Sequence, residues 1–169
     1  MKHLKSLLLA ATLILSASLT LQAQSKVAHI NTQELVESMP DMKSAKSELE
    51  KLAKTYETDI QAMATELQNK ITQYDAESST KTDEENGKRL QEVQSMEQSI
   101  RQYQAQAQQD LQKKELDLLR PITEKAKNAI LKVGNAQGFD YVLDSSQGQG
   151  VIMANGKDLL KDERTELGF

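Results

Sequence analysis

The architecture of this protein follows from residues 42–74, MKSAKSELEKLAKTYETDIQAMATELQNKITQY. Apolar residues recur there in steps of three or four, and the positions between them are polar, charged or alanine. The stripe consists of Met42, Ala45, Leu49, Leu52, Tyr56, Ile60, Met63, Leu67, Ile71 and Tyr74. Because the mean step of about 3.6 residues is the helical period, the stretch predicts one long helix with a narrow apolar stripe.

A second stripe follows a short polar interruption. Residues 78–80, Ser-Ser-Thr, break the first pattern, and Thr82 with Glu85 forms a capping box that starts a new helix. The apolar positions of this helix are Leu90, Val93, Met96, Ile100, Tyr103, Ala107, Leu111, Leu118, Ile122, Ala126, Ile130 and Val133. Gly138 is predicted to end it, because glycine readily adopts the left-handed conformation that follows many helix ends.

The two helices are predicted to pair as an antiparallel hairpin, because each stripe would otherwise face water. The hairpin covers residues 41–120, with its tip near residues 76–82. Arms of roughly 40 residues would reach on the order of 60 Å, at about 1.5 Å per residue. Pro121 lies inside the second helix, so we expect a kink and a hinge where the arm meets the body.

Short β-prone segments flank the hairpin on both sides. Before it, residues 26–31 predict a strand, and Asn31 is placed to cap a short helix over residues 32–38. Pro40 is expected to end that helix, and Asp41 is expected to cap the first helix of the arm.

After the hairpin, residues 139–144 and 151–153 predict two strands, and a last short helix carries Leu160 and Leu167. With residues 24–40, residues 121–169 are expected to form a small α+β body. The predicted fold class is therefore mainly α, with a long antiparallel hairpin projecting from a small β-sheet or barrel core. Because a sheet this small is marginal alone, we expect other copies of the chain to complete it and cover its edges.

The first 23 residues are interpreted as a cleaved secretory signal peptide. A basic start over residues 1–5 precedes an apolar run over residues 7–21 and a small residue at the cleavage position. We therefore expect the mature chain to be secreted; the family resemblance given below implies the periplasm as its destination. Without Lys2 and Lys5, the 21 basic residues fall to 19 against 25 acidic residues, a net charge of −6. This acidic balance argues against nucleic acid as a partner.

No catalytic, metal or cofactor site is predicted. Residues 150–157, GVIMANGK, resemble a phosphate-binding loop, but five residues instead of four separate the glycines, and Asp158 replaces the Ser or Thr that would hold the metal. His29 is the only histidine after residue 23, and the chain has no Cys, so a triad or a zinc site lacks ligands. We predict that the protein is not an enzyme and needs no cofactor.

Residues 26–167 resemble the Skp/OmpH family of periplasmic chaperones. The resemblance rests on KVAHIN (26–31) followed by Leu35, on AILKV (129–133) followed by GFDYVLD (138–144), and on residues 151–160. It implies a homotrimer whose shared β body carries three helical hairpins around a cavity. It also implies that the clients are unfolded outer-membrane β-barrel proteins, which the chaperone would hold without ATP.

The candidate site residues fall into two groups. For the oligomer body we expect Val27, Ile30, Val142, Leu143, Val151 and Ile152. For the seam of the arm, or for contact with clients, we expect Met42, Leu49, Tyr56, Met63, Leu67, Met96, Ile100 and Tyr103. The methionines either pack the seam or offer adaptable contacts to an unfolded chain.

Two further expectations concern partners. Residues 41–120 carry 12 basic and 16 acidic residues, whereas the best-known members of the family are strongly basic. The acidic arms argue against direct contact with anionic lipid or lipopolysaccharide. The alternative function is a periplasmic coiled-coil structural or tethering protein, which would share the stripes and the signal peptide but would not suppress aggregation.

Overall fold

A long helical hairpin and a small sheet make up residues 25–169, the part of the chain that this computed structural model describes. The elements are β1 (Val27–Ile30), α1 (Thr32–Ser38), α2 (Pro40–Glu77), α3 (Asp83–Ala136), β2 (Tyr141–Asp144), β3 (Lys157–Asp158) and α4 (Leu160–Leu167). This arrangement confirms the predicted fold class, long helices on a small sheet. The signal peptide predicted over residues 1–23 lies outside the described residues.

The hairpin consists of α2 and α3, which contain 38 and 54 residues. At about 1.5 Å per residue they are roughly 57 Å and 81 Å long. A single 3₁₀ turn, Ser78–Thr80, joins them. The capping box at the start of α3 is confirmed, because the Thr82 side chain accepts a hydrogen bond from the Glu85 backbone N–H and the Glu85 carboxylate accepts one from the Thr82 N–H.

Pairs of residues across the hairpin establish that the two helices are antiparallel. Contacts join Asp41 to Lys125, Glu48 to Lys114, Tyr56 to Asp110, Asp59 to Tyr103, Lys70 to Glu92 and Glu77 to Arg89. As the residue number of the α2 partner rises, the residue number of its α3 partner falls. Beyond Lys125, the end of α3 extends past the start of α2 into the body, where Ala126 and Val133 are buried.

The sheet has the strand order β2-β1-β3, and both pairings are parallel. Along β1, alternate residues face opposite sides: Ala28 and Ile30 are buried and Val27 is exposed. The core lies on the buried side, where Leu35, Met39 and Leu159 have no exposed surface. The C-terminal part of α3 covers the same side of the sheet so closely that a Cβ added at Gly134 would lie 3.0 Å from Cγ2 of Val142.

The structure corrects the strand predicted over residues 151–153, which have no regular secondary structure. The third strand is the two-residue segment β3, further along the chain. Both edges of the central strand β1 are occupied, by β2 and β3, so residues 151–153 do not pair with it. The side chain of Ile152 is fully exposed.

The caps predicted around the start of the arm are partly corrected. Asn31 caps α1 as expected, accepting a hydrogen bond from the Glu34 backbone N–H at 3.0 Å. The N-cap of α2, however, is Met39 and not Asp41, and Pro40 occupies the first helical turn. Proline suits that position because its φ is already helical and its missing N–H would have no intrahelical acceptor.

The C-terminal end of α3 lies where the sequence predicts it. Gly138 follows the end of α3 with a φ of +70°, as predicted for the residue after a helix C-terminus. Helix α3 runs through Pro121 without a break in its secondary structure. Among residues 25–169, no helix combines the length and apolarity needed to traverse a bilayer.

Candidate functional site

The seam between α2 and α3 is only half covered. All eight predicted seam residues, Met42, Leu49, Tyr56, Met63, Leu67, Met96, Ile100 and Tyr103, are half-buried. Along the hairpin only Ala45 and Ala107, both small, are fully buried in the seam. Two helices can cover one side of each other's stripe, and a third layer would be needed to close the seam. The arm therefore presents a continuous strip of partly accessible apolar side chains.

Open grooves follow this seam, and three of them succeed one another from the body toward the tip. The first, about 490 Å³ in volume, lies beside Tyr56, Ile60 and Leu111. The second, about 390 Å³, is lined by Met63, Met96 and Ile100. The third, about 340 Å³, lies near the tip beside Ile71, Leu90 and Val93. Each groove is open and mostly apolar, with charged or amide groups at its edge, so it can accept an apolar side chain from another molecule.

Polar contacts hold the middle of the arm in register. The rings of Tyr56 and Tyr103 pack edge to face across the seam. The Tyr56 hydroxyl donates a hydrogen bond to Asp110 at 2.9 Å, and the Tyr103 hydroxyl donates one to Asp59 at 2.7 Å. These hydrogen bonds raise the pKa of both tyrosines above the ordinary value. The sequence analysis identified the two tyrosines but missed Asp59 and Asp110. The available signal is that each aspartate lies on the same helical face as a tyrosine, Asp59 three residues after Tyr56 and Asp110 seven residues after Tyr103.

A second polar cluster lies closer to the tip. Glu92 on α3 accepts from Lys70 and from the Tyr74 hydroxyl on α2. Next to it, the guanidinium of Arg89 lies 4.6 Å from the Tyr74 ring centroid and pairs with Glu77. The hydrogen bonds from Lys70 and Tyr74 lower the pKa of Glu92 and keep it ionised at neutral pH. This cluster holds the end of α2 against the start of α3. The apolar groove beside it stays open.

The body presents a second candidate surface, the outer face of the sheet. The parallel register places Val27 beside Tyr141 and His29 beside Leu143 on the side away from the core. Val27, Tyr141 and Leu143 are all exposed. We call Val27, Tyr141 and Leu143 the outer sheet face. Ile152 and Met153 of the loop that follows β2 are likewise exposed.

The predicted body residues divide between this face and the core. Val27, Leu143 and Ile152 are exposed, Val142 and Val151 are half-buried, and Ile30 is buried within the chain's own core. His29, on the central strand, is half-buried, and its Nδ1 lies 3.3 Å from the Ser145 hydroxyl oxygen.

One hydrogen-bond network connects the sheet to the start of the arm. The Asp144 carboxylate at the end of β2 accepts from the Thr32 hydroxyl at 2.6 Å and from the Ser146 backbone N–H at 2.9 Å. The buried Ser146 hydroxyl in turn accepts from the Gln33 N–H at the start of α1. Burial alone would raise the pKa of Asp144, but the hydrogen bonds from Ser146 and Thr32 outweigh it and leave the pKa lowered.

The described part of the chain offers no metal-binding cluster, because residues 25–169 hold no group of three His, Cys, Asp or Glu side chains close enough to share an ion. Its open features are a long amphipathic arm and an apolar sheet face on a small body. Together these define a class of protein that works by binding other chains along an extended surface.

Comparison with known proteins places the chain within that class. The family described as "Outer membrane protein (OmpH-like)" matches residues 26–162. "Chaperone protein Skp" from Pectobacterium atrosepticum is 26% identical over 150 residues, which is 89% of this chain and 90% of that protein. "Chaperone protein Skp" from Photorhabdus laumondii is 28% identical over 145 residues, 85% of this chain and 88% of that one.

A solved structure has the same fold. The OmpH-like outer membrane chaperone of Caulobacter crescentus superposes with a TM-score of 0.78 at 18% identity, covering 86% of this chain and 85% of that chain. The protein described here belongs to the Skp/OmpH family.

Proposed function

We propose that this protein is an ATP-independent holding chaperone of the periplasm, which binds unfolded outer-membrane proteins along its arms and prevents their aggregation. The observation that carries this proposal is the half-covered seam between α2 and α3, with its three apolar grooves. Family membership supports the same conclusion. A tether would need the same hairpin but would gain nothing from grooves that stay open to other chains.

The grooves are suited to weak and repeated contacts. Each is shallow and takes at most a few side chains, so no single contact would trap a client. Several contacts within one cavity act at a high effective concentration, and together they can retain an unfolded chain. Met63 and Met96 lie opposite each other in the second groove. Their flexible side chains can adapt to apolar groups of different shape, which suits clients without a common sequence.

The proposed assembly is a homotrimer held together at the outer sheet face. This face presents an apolar surface on a sheet of only three short strands, which is marginal as a free unit. Burial against copies of the same chain would cover Val27, Tyr141 and Leu143 and would give residues 151–153 a strand to pair with. The arms of the copies would then project from one body and enclose a shared cavity.

The proposal is tested by mixing the purified protein with an outer-membrane barrel protein diluted from urea and following light scattering. The expected result is that the client stays soluble at about one assembly per client, without nucleotide. A tether or spacer would leave aggregation unchanged, and this outcome would overturn the proposal.

A matched pair of leucines separates groove binding from a general change of the arm surface. Leu90 is 59% exposed and lines the groove near the tip, whereas Leu116 is 64% exposed and lies outside the three grooves. We expect Leu90→Gln to weaken the holding of clients and Leu116→Gln to leave it unchanged. Equal effects of the two substitutions would contradict binding in the grooves.

The assembly is tested separately, by measuring the mass of the protein in solution. We expect three chains per particle for the unsubstituted protein. Leu143→Glu places a charge on the outer sheet face and should lower the mass to that of one chain. An unchanged mass would show that copies do not meet at this face, without affecting the result of the aggregation experiment.

A further inference from the structure

Glu163 occupies the centre of the apolar stripe of the last helix, α4. Its side chain has no exposed surface. Leu159 lies four residues before it and Leu167 four residues after it, so the three side chains share one face of the helix. Leu159 is fully buried and belongs to the core, against which Leu167 also packs. The structure thus places a carboxyl group where the pattern of the helix calls for an apolar side chain.

Both carboxyl oxygens of Glu163 are buried, and neither has a hydrogen-bond partner within residues 25–169. Three cations on α4 and the elements packed against it have other partners. Lys132 of α3 pairs with Glu166, Lys157 of β3 pairs with Asp162, and Arg164 pairs with Glu34 of α1.

Two further ionisable groups in the body, His29 and Asp158, also have other contacts. His29 on β1 has its Nδ1 beside the Ser145 hydroxyl, and the Asp158 carboxylate accepts from the Leu160 N–H. Burial, followed by the negative charges of Glu166 and Asp162, raises the pKa of Glu163 to about 7. A buried carboxyl without a partner is far less costly when neutral than when ionised.

We propose that Glu163 makes the docking of α4 on the body depend on a bound proton. With the carboxyl neutral, α4 seats its Leu159–Leu167 face on the core formed with α1 and α3. With the carboxyl ionised, the uncompensated charge works against that seating, and α4 loosens. The body is therefore more stable at mildly acidic pH than at alkaline pH. This device concerns the stability of the body and is independent of the proposed binding of clients.

The direction of the effect follows from linkage. The pKa is raised in the folded state above its ordinary value of 4.5, so the folded protein binds the proton more tightly than the unfolded chain. The stabilisation is fully present below about pH 4.5 and is lost as the pH rises through about 7. Asp144, whose pKa is lowered, contributes its pH dependence below this range.

The test measures urea unfolding of the whole secreted chain at pH 5, 6, 7 and 8, at one protein concentration and constant ionic strength. Between pH 5 and pH 8 the folded-to-unfolded ratio should fall by on the order of tenfold to a hundredfold more in the unsubstituted protein than in Glu163→Gln. Because Gln leaves a buried amide unpaired, Glu163→Met is measured as a second neutral variant and should show the same flat profile.

Hydrogen exchange locates the change. The amides of residues 160–167 should lose protection between pH 5 and pH 8, after correction for intrinsic exchange, while those of α2 keep theirs. Glu124→Gln is the control, because Glu124 is an exposed carboxyl on α3 in the same body, and its pH profile should match that of the unsubstituted protein. If both Glu163 variants lose stability with pH in parallel with the unsubstituted protein, the proposal is wrong.

Discussion

Tyr56 on α2 and Tyr103 on α3 meet across the seam with their ring centroids 5.8 Å apart and their planes inclined at 64°. Each hydroxyl extends past the other ring to an aspartate on the opposite helix, Asp110 for Tyr56 and Asp59 for Tyr103. The two contacts are reciprocal, and both are lost if either helix slides by one turn. The pair therefore sets the register of the middle of an arm in which few large side chains are fully buried.

Removing both hydroxyls should loosen the middle of the arm. We expect Tyr56→Phe combined with Tyr103→Phe to lower the midpoint of thermal unfolding by roughly 2–5 °C, because two hydrogen bonds to carboxylates are lost while the ring contact remains. Circular dichroism measures the midpoint. Tyr141→Phe is the control, because it removes the hydroxyl of an exposed tyrosine on the body, away from the seam. An equal loss in the control would contradict the special role of the pair.

Two glycines of α3 should respond differently to alanine. Gly87 has open space around it, so Gly87→Ala should raise the free energy of unfolding by about 1 kcal/mol, the difference in helix propensity. At Gly134 the new Cβ would meet Cγ2 of Val142 at 3.0 Å, so Gly134→Ala should gain less or lose stability. Adding Val142→Ala should recover part of the difference, with a coupling of about 0.5–3 kcal/mol in urea unfolding. A coupling free energy near zero would show that the contact with Val142 does not reduce the stability gained from alanine at position 134.

Asp144 should stabilise the body above acidic pH. Its pKa is lowered by the Ser146 and Thr32 hydrogen bonds, so its contribution is present above the ordinary value near 3.8 and is lost as the pH falls through its lower value in the folded protein. Asp144→Asn should cost about 1 kcal/mol at pH 7 in urea unfolding and less at pH 3. Asp117→Asn, at an exposed position on α3, is the control. A loss that does not depend on pH would contradict this account.

Pro121 is expected to let the arm move relative to the body. Alanine there restores a backbone N–H donor toward the Asp117 carbonyl, so Pro121→Ala should raise the stability of α3 by up to about 3 kcal/mol. If the proline is a hinge, the stiffer arm should also hold large clients less well than small ones, as measured by light scattering. Higher stability with unchanged holding of both sizes would remove the hinge from the mechanism.

Joining the arms at their tips tests the same motion without altering the helix. The chain has no cysteine, so Ser79→Cys introduces one thiol, in the exposed 3₁₀ turn at the tip. Cross-linking these thiols between copies should weaken the holding of large clients, and reduction should restore it. Equal holding before and after reduction would show that the arms need not spread.

The two long helices and most of their ends were predictable from the sequence because they depend on local rules. The stripe of residues 42–74 reports the helical period, Thr82 and Glu85 cap within one turn, and Gly138 ends α3 through its own backbone conformation. Each of these features involves residues a few positions apart. Where a local rule competed with another, it could fail, as when Pro40 and not Asp41 set the start of α2.

Tertiary structure alone decided which segments and side chains meet across long separations in sequence. Residues 151–153 have the composition of a strand, yet the segment that pairs with β1 on that side is β3, further along the chain. The hydrogen bonds from Tyr56 and Tyr103 to aspartates on the opposite helix depend on the register of the two helices. The isolation of Glu163 depends on where neighbouring cations find their partners. Periodicity gives the face on which a residue lies, whereas the partner across that face is a property of the folded chain.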